Sequence, residues 1–213
     1  PDLIWFKDRT QAFSHRLYDT SRGIASNGGK RLFSNTTGAE TNITSGQDIS
    51  AVGTDGFTLG ASSNLYTNDT NDGGLHVAWC WRANGGTTAS NSDGAISSTV
   101  QANQAAGFSI VQWTANATSS VATTVGHGLS KAPEFVITKS RDSAGNWCVT
   151  HTGLSSTSHM LFLNSNATET DKSGNGSMSA NTSTVFSVNA TDGSNAPNGD
   201  NMIAYCWHSV EGY

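Results

Sequence analysis

The chain has 213 residues, enough for two small domains, and sets 11 Lys and Arg against 16 Asp and Glu for a formal net charge of −5. With no basic surplus to neutralise phosphates, a nucleic-acid partner is not expected, and no run approaches the ~20 apolar residues of a membrane helix, so no membrane partner is expected either. With 23 glycines, only three prolines, abundant Ser, Thr and Asn, and aromatics at regular intervals, the composition reads as an all-β protein with many turns rather than a disordered one.

In chain order, "LIWFK" at 3–7 predicts a strand with almost no alternation, buried on both faces or deep in a sandwich. "SHRLYDTSRG" at 14–23 reads as a polar strand with a loop, "KRLFS" as a short strand, and "GFTLG" as a strand of period two. "LHVAWCWRA" is the strongest strand of this part, and "NGG" at 84–86 breaks the pattern. After a linker, "AISSTVQAN" and "GFSIVQWTA" predict two strands around a short loop, and "SSVATTVGHGL" a further short strand and turn. "EFVITKSR", "NWCVTH", "HMLFLN", "TVFSV" and "MIAYCWHS" complete the series. Helix is expected only in brief pieces.

The chain repeats itself. "PDLIWFKDR" at 1–9 is answered by "PEFVITKSR" at 133–141, "LFSNTTGAET" at 32–41 by "LFLNSNATET" at 161–170, Phe57 by Phe186, and "HVAWCW" at 76–81 by "MIAYCW" at 202–207. The order is kept while the offset drifts by a few residues, as in a duplicated domain with small loop indels. The expected division is a first β-sandwich repeat at 1–86, a linker and the first strand of a hairpin at 87–106, and a second β-sandwich repeat at 107–213. The residues in front of the second "PEF" have no counterpart before Pro1. Copy one therefore reads as N-terminally truncated, its gap filled by upstream residues, a neighbouring subunit, or residues 94–114 serving both copies.

The three cysteines, Cys80, Cys148 and Cys206, show no zinc spacing. Cys80 and Cys206 are repeat-equivalent in apolar runs and are expected to be buried free thiols, which suits folding in a reducing cytoplasm.

Glycoside hydrolysis would need two carboxylates flanking a cleft, and Glu40, Glu134, Glu169 and Glu211 offer no pair at strand spacing. There is no nucleophile motif. His127, in "GHGL", reads as a hydrogen-bonded turn histidine, and His151 with His159 could meet across a hairpin without making a metal site. Cofactors are not expected. The equivalent loops "TNDTNDGG" and "TDGSNAPNGD" place Asp69, Asp72, Asp192 and Asp200 where a calcium ion could take oxygen ligands. Asn, Asp and Gly also dominate ordinary turns, and that reading is preferred. For sugar stacking, Trp113 and Trp147 are the candidates, because neither has a Trp counterpart in copy one. Trp5, Trp79, Trp81 and Trp207 default to core packing.

Taken together, "PDLIWFKDR…SHRLYDTSRG…TDGFTLG…VAWCW" and "GFSIVQWTAN…VGHGLSKAPEFVITKSR…NWCVTH…IAYCW…EGY" resemble the repeated, lectin-like β-sandwich modules of tail-fibre and other virion proteins of cyanophages and similar marine phages. The resemblance spans nearly the whole chain and carries no site residue to transfer. It implies tandem jelly-roll or concanavalin-like sandwich units in a non-enzymatic structural and adhesion module. It further implies a virion location after assembly in the host cytoplasm, other virion subunits as partners, a homo-oligomer, and binding to host-surface glycans. The alternative is a carbohydrate-binding domain of a secreted bacterial protein. A glycosidase is the weakest of the three readings.

Overall fold

The computed structural model describes residues 1–24, 29–43, 48–60, 74–116, 122–175, 179–190 and 193–212. These form an all-β protein whose only helical piece is a single turn at Ser173–Asn175. The strands are β1 (Leu3–Asp8), β2 (Arg16–Asp19), β3 (Lys30–Phe33), β4 (Thr41–Asn42), β5 (Ile49–Val52), β6 (Phe57–Leu59), β7 (His76–Trp81), β8 (Ala89–Asn91) and β9 (Ser98–Asn103). They continue as β10 (Phe108–Thr114), β11 (Thr123–Gly126), β12 (Phe135–Ser140), β13 (Cys148–His151), β14 (His159–Phe162), β15 (Thr170–Asp171), β16 (Val185–Val188) and β17 (Asn201–Trp207). Gly107, at φ 63°, makes the turn from β9 into β10.

One sheet runs β4-β3-β2-β1-β7 and the other β15-β14-β13-β12-β17-β10-β9-β8. The first five strands of each list correspond one to one, and the register corresponds too. Leu3 faces Trp81 and Trp5 faces Trp79 in one sheet, where Phe135 faces Trp207 and Ile137 faces Tyr205 in the other. Leu17 faces Leu32 as Val149 faces Leu161. Even the lysines agree: Lys7 donates from Nζ to the carbonyls of Gln11 and Phe13, and Lys139 to those of Ser140 and Ser143. The copies differ at the flap strand and at the edge. In copy one β6 pairs with β5, whereas its equivalent β16 pairs with β11. In copy two β10, β9 and β8 extend the sheet beyond β17, while β7 ends its sheet.

The layering explains the unalternating strands. Leu3, Leu17 and Leu32 of one sheet pack with Phe108, Ile110, Ile137, Trp147, Ile203 and Tyr205 of the other in a shared core. On the outer face of the first sheet, Ile4, Phe6 and Tyr18 pack on Ile49 and Phe57 of the β5–β6 flap. On the outer face of the second, Val111, Trp113, Val136 and Ala204 pack on Val125 and Phe186 of the β11–β16 flap. The central strands β1, β12 and β17 are largely buried on both sides, so they read as continuous apolar runs. The hairpin of residues 94–114 pairs its strand β10 with β17 of copy two, yet Phe108 packs on Trp81 of copy one at 6.2 Å, and the Gln101 side chain donates to Thr20 and Ser21.

A polar cluster crosses the shared core. The Arg22 Nε donates to Asp19 Oδ2 at 2.5 Å, the Tyr205 hydroxyl donates to the same oxygen at 2.7 Å, and all three residues are buried. Beside it, Arg141 donates to both oxygens of Glu40 at 2.9 and 3.0 Å, again joining the copies.

Residues 1–86 alone would expose Leu3, Leu17 and Leu32 to water. That fragment is expected to aggregate or to melt without a cooperative transition; a sharp, reversible, monomeric melt would contradict the shared core.

Candidate functional site

Among the described residues, the exposed aromatic surface lies in copy one. Trp5 and Trp79 are paired across β1 and β7, and Trp81, two residues on, shares their face. Trp79 is 44% exposed, while Trp5, Trp81 and His15 are half-buried; the four line a cleft of about 260 Å³. The Trp5 and Trp79 rings meet edge to face at 6.3 Å. The Trp5 Nε1 donates to His15 Nδ1 at 3.1 Å, so this nitrogen is unprotonated, and burial with Lys7 nearby lowers the His15 pKa in the same sense. Asn35 holds the His15 backbone: its Oδ1 accepts the His15 N–H at 3.0 Å and its Nδ2 donates to Ser14 at 3.3 Å. In copy two the equivalent surface is closed, because Tyr205 lies under Asp19 and Arg22 with no exposure.

The sequence candidates fall elsewhere. Trp113 is 4% exposed; it donates to Asn195 Oδ1 at 2.9 Å and meets Phe186 edge to face. Trp147 has no exposure, and its indole crosses to copy one and donates to the Phe33 carbonyl at 3.0 Å. Neither ring reaches solvent, so neither offers a stacking face. Their lack of a Trp counterpart marks copy-specific core instead: His15 is the position equivalent to Trp147, and each backbone N–H bonds an equivalent Asn, Asn35 or Asn164. Sequence reasoning set Trp5, Trp79 and Trp81 aside as core. The signal that would have found them is that nothing in copy one matches the strand that covers β17.

Asp69, Asp72 and Asp192 lie outside the described residues. Asp200 accepts the Ser140 hydroxyl at 2.6 Å, and the described residues hold no group of three or more His, Cys, Asp or Glu able to bind a metal ion. Cys80 is exposed, which corrects the expectation of a buried thiol. Cys206 is buried in the outer-face cluster with Val125 and Phe186 of the flap and is flanked by β10, whose Ser109 lies opposite it, whereas no described strand flanks Cys80 on that side. All three thiols are free. Three glutamates are engaged, Glu40 with Arg141, Glu134 with the Ser209 hydroxyl and Glu169 with Ser155. His151 and His159 line one cleft of about 220 Å³ with Glu134, Asn181 and several hydroxyls. Lys139 is fully buried and burial pulls its pKa down to about 8, but its amine is bound to two carbonyls and has no access to solvent.

The chain belongs to a family described as a domain of unknown function (DUF7483), whose model matches residues 1–213. No curated protein and no solved structure matches it.

Trp147→Ala is expected to cost about 3–5 kcal/mol of stability, as for other fully buried aromatics, and Trp79→Ala no more than about 1 kcal/mol; chemical denaturation of the two variants checks this. A pH dependence follows from His127, which is fully buried, accepts the Leu129 N–H on Nδ1 and bonds the Thr182 carbonyl through Nε2. Burial lowers its pKa, Thr182 and Asp93 oppose that, and His208 adds to it. The unfolded chain therefore takes up a proton first as pH falls. The stability from neutral His127 is present above pH about 6.5 and lost below it, with a slope of up to about 1.4 kcal/mol per pH unit. Urea unfolding between pH 7.5 and 5 should show this slope, and His127→Gln should flatten it.

Proposed function

We propose that this protein is a non-enzymatic structural and adhesion module of a phage virion, part of a tail fibre or other surface appendage, with each copy a lectin-like sandwich repeat of jelly-roll or concanavalin type. The observation that carries the adhesive part is the Trp5–Trp79–Trp81 shelf with its His15 wall. Flat aromatic faces pack the apolar faces of pyranose rings, and an imidazole at the rim suits a sugar hydroxyl. Host-surface glycans are the ligand class. One such shelf is a small apolar contact and binds weakly, and repetition along a homo-oligomeric appendage beside other virion subunits raises the avidity. The resemblance of the sequence motifs to marine phage fibre modules supports the virion setting. The second reading, a carbohydrate-binding domain of a secreted bacterial protein, uses the same shelf.

A glycan array read with a multimerised form of the protein tests the proposal. Binding is expected, and Trp79→Ala should reduce it about tenfold or more, the loss of a stacking contact of 1–2 kcal/mol. Binding that survives Trp79→Ala and Trp5→Ala would remove the shelf as the site. Turnover of any polysaccharide by the purified protein would overturn the non-enzymatic reading.

A further inference from the structure

The edge of β7 stands apart from the other sheet edges. Strands β4, β15 and β8 close their edges with two, two and three residues, whereas β7 presents six, "HVAWCW", with no Lys, Arg, Asp or Glu among them. A long, flat, apolar edge strand is what natural sheets avoid unless something pairs with it. Among the described residues, β7 pairs only with β1.

The phase of the ladder shows which groups are open. The Arg9 N–H bonds the Leu75 carbonyl at 2.7 Å. In an antiparallel ladder every second residue faces the partner, so Val77, Trp79 and Trp81 are spent on β1. The backbone groups of His76, Ala78 and Cys80 point away from it. In copy two the Ala115 N–H bonds the Asp200 carbonyl at 2.8 Å, which directs Met202, Ala204 and Cys206 to β10, opposite Trp113, Val111 and Ser109. His76, Ala78 and Cys80 are the equivalents of those three. Copy two thus displays the partner that this edge is shaped for, with its register.

We propose that β7 is an acceptor for an added antiparallel strand of β10 type, supplied by another polypeptide segment, since β10 itself is held between β9 and β17. The strand places a small residue opposite Cys80, as Ser109 lies opposite Cys206, and an apolar one opposite Ala78, as Val111 lies opposite Ala204. Its other face carries apolar residues beside Trp79 and Trp81, as Ile110 and Phe108 lie beside Tyr205 and Trp207. Main-chain hydrogen bonds give affinity and the alternate side chains give specificity. The strand lies beside the tryptophan shelf, because stacking faces stand out from the sheet while pairing runs along its edge. Copy one then gains the cover that copy two already has, and modules join through one continuous sheet.

The test uses the full chain and a synthetic peptide of residues 107–115, "GFSIVQWTA", with flanking lysines. Cys80 is the exposed thiol, and Cys148 and Cys206 are buried. Peptide carrying Ser109→Cys, activated as its 2-thiopyridyl disulfide so that the Cys80 thiolate displaces thiopyridone, is expected to form a disulfide with Cys80 at least about tenfold faster than peptide carrying Ile110→Cys activated in the same way, because directly opposed residues lie within disulfide reach while the next residue points to the opposite face. Amide exchange of Ala78 and Cys80 should slow on peptide binding. Ala78→Pro removes an outward N–H, keeps the bonds to β1 and should abolish both effects while circular dichroism stays unchanged. Equal cross-linking of the two peptides, or cross-linking that Ala78→Pro leaves intact, would overturn the proposal. A homodimer through paired β7 strands that the peptide fails to displace would overturn it too, by making a second copy the occupant.

Discussion

Arg22 sits between the two copies with no contact to water, and the arrangement of the sheets turns on it. Its guanidinium meets Asp19 of copy one and the Tyr205 hydroxyl of copy two, and Glu40 lies 3.7 Å from its far nitrogen. An apolar slab such as the shared core is non-directional and would tolerate sliding. The polar cluster resists sliding, because another offset takes the Tyr205 hydroxyl away from Asp19 and Arg22 and parts Arg141 of copy two from Glu40 of copy one, leaving buried polar groups unsatisfied. The net stabilisation of such a cluster over an apolar replacement is small or absent. Its effect is to admit one docking of the sheets.

The duplication shows the same backbone position solved in two ways. In copy one Asp48, buried and at φ 54°, accepts from Arg16 at 2.6 Å, from Tyr18 at 3.0 Å and from Arg31. In copy two the positions of Arg16 and Arg31 are held by Cys148 and Met160, which pack with Phe162 in a small apolar patch. An ionic triad and an apolar pair both fill the site, as expected when the energetic difference between a satisfied buried ion cluster and well-packed side chains is small. The flaps diverge likewise: β5 follows its sheet locally, while β11 arrives from in front of β12, and each covers the outer face of its sheet.

The asymmetry of cover then assigns roles. Copy two is closed on its inner face by copy one, on its outer face by a flap, and at its edge by β10, β9 and β8. Among the described residues, copy one keeps a tryptophan shelf and, beside it, the open outer edge of β7. The shelf is not a second version of the core plug, since His15 stands where Trp147 inserts.

Much of the scaffold was legible in the sequence by itself. Apolar runs and turn residues located the central strands, and the offsets between "PDLIWFK" and "PEFVITK" and between "HVAWCW" and "MIAYCW" carried over into strand order and register, because strand pairing follows local pattern and a duplicated sequence repeats it. The hydrogen-bonded turn role of His127 was legible for the same local reason. Exposure was not. Trp147 and Trp79 sit in similar strings, and Cys80 and Cys206 in nearly identical ones, yet one of each pair is buried and the other is at the surface. That difference arises from how far one sheet overlaps the other and from a strand that reaches β17 and not β7. Both are contacts between residues distant in sequence, which only the tertiary structure decides.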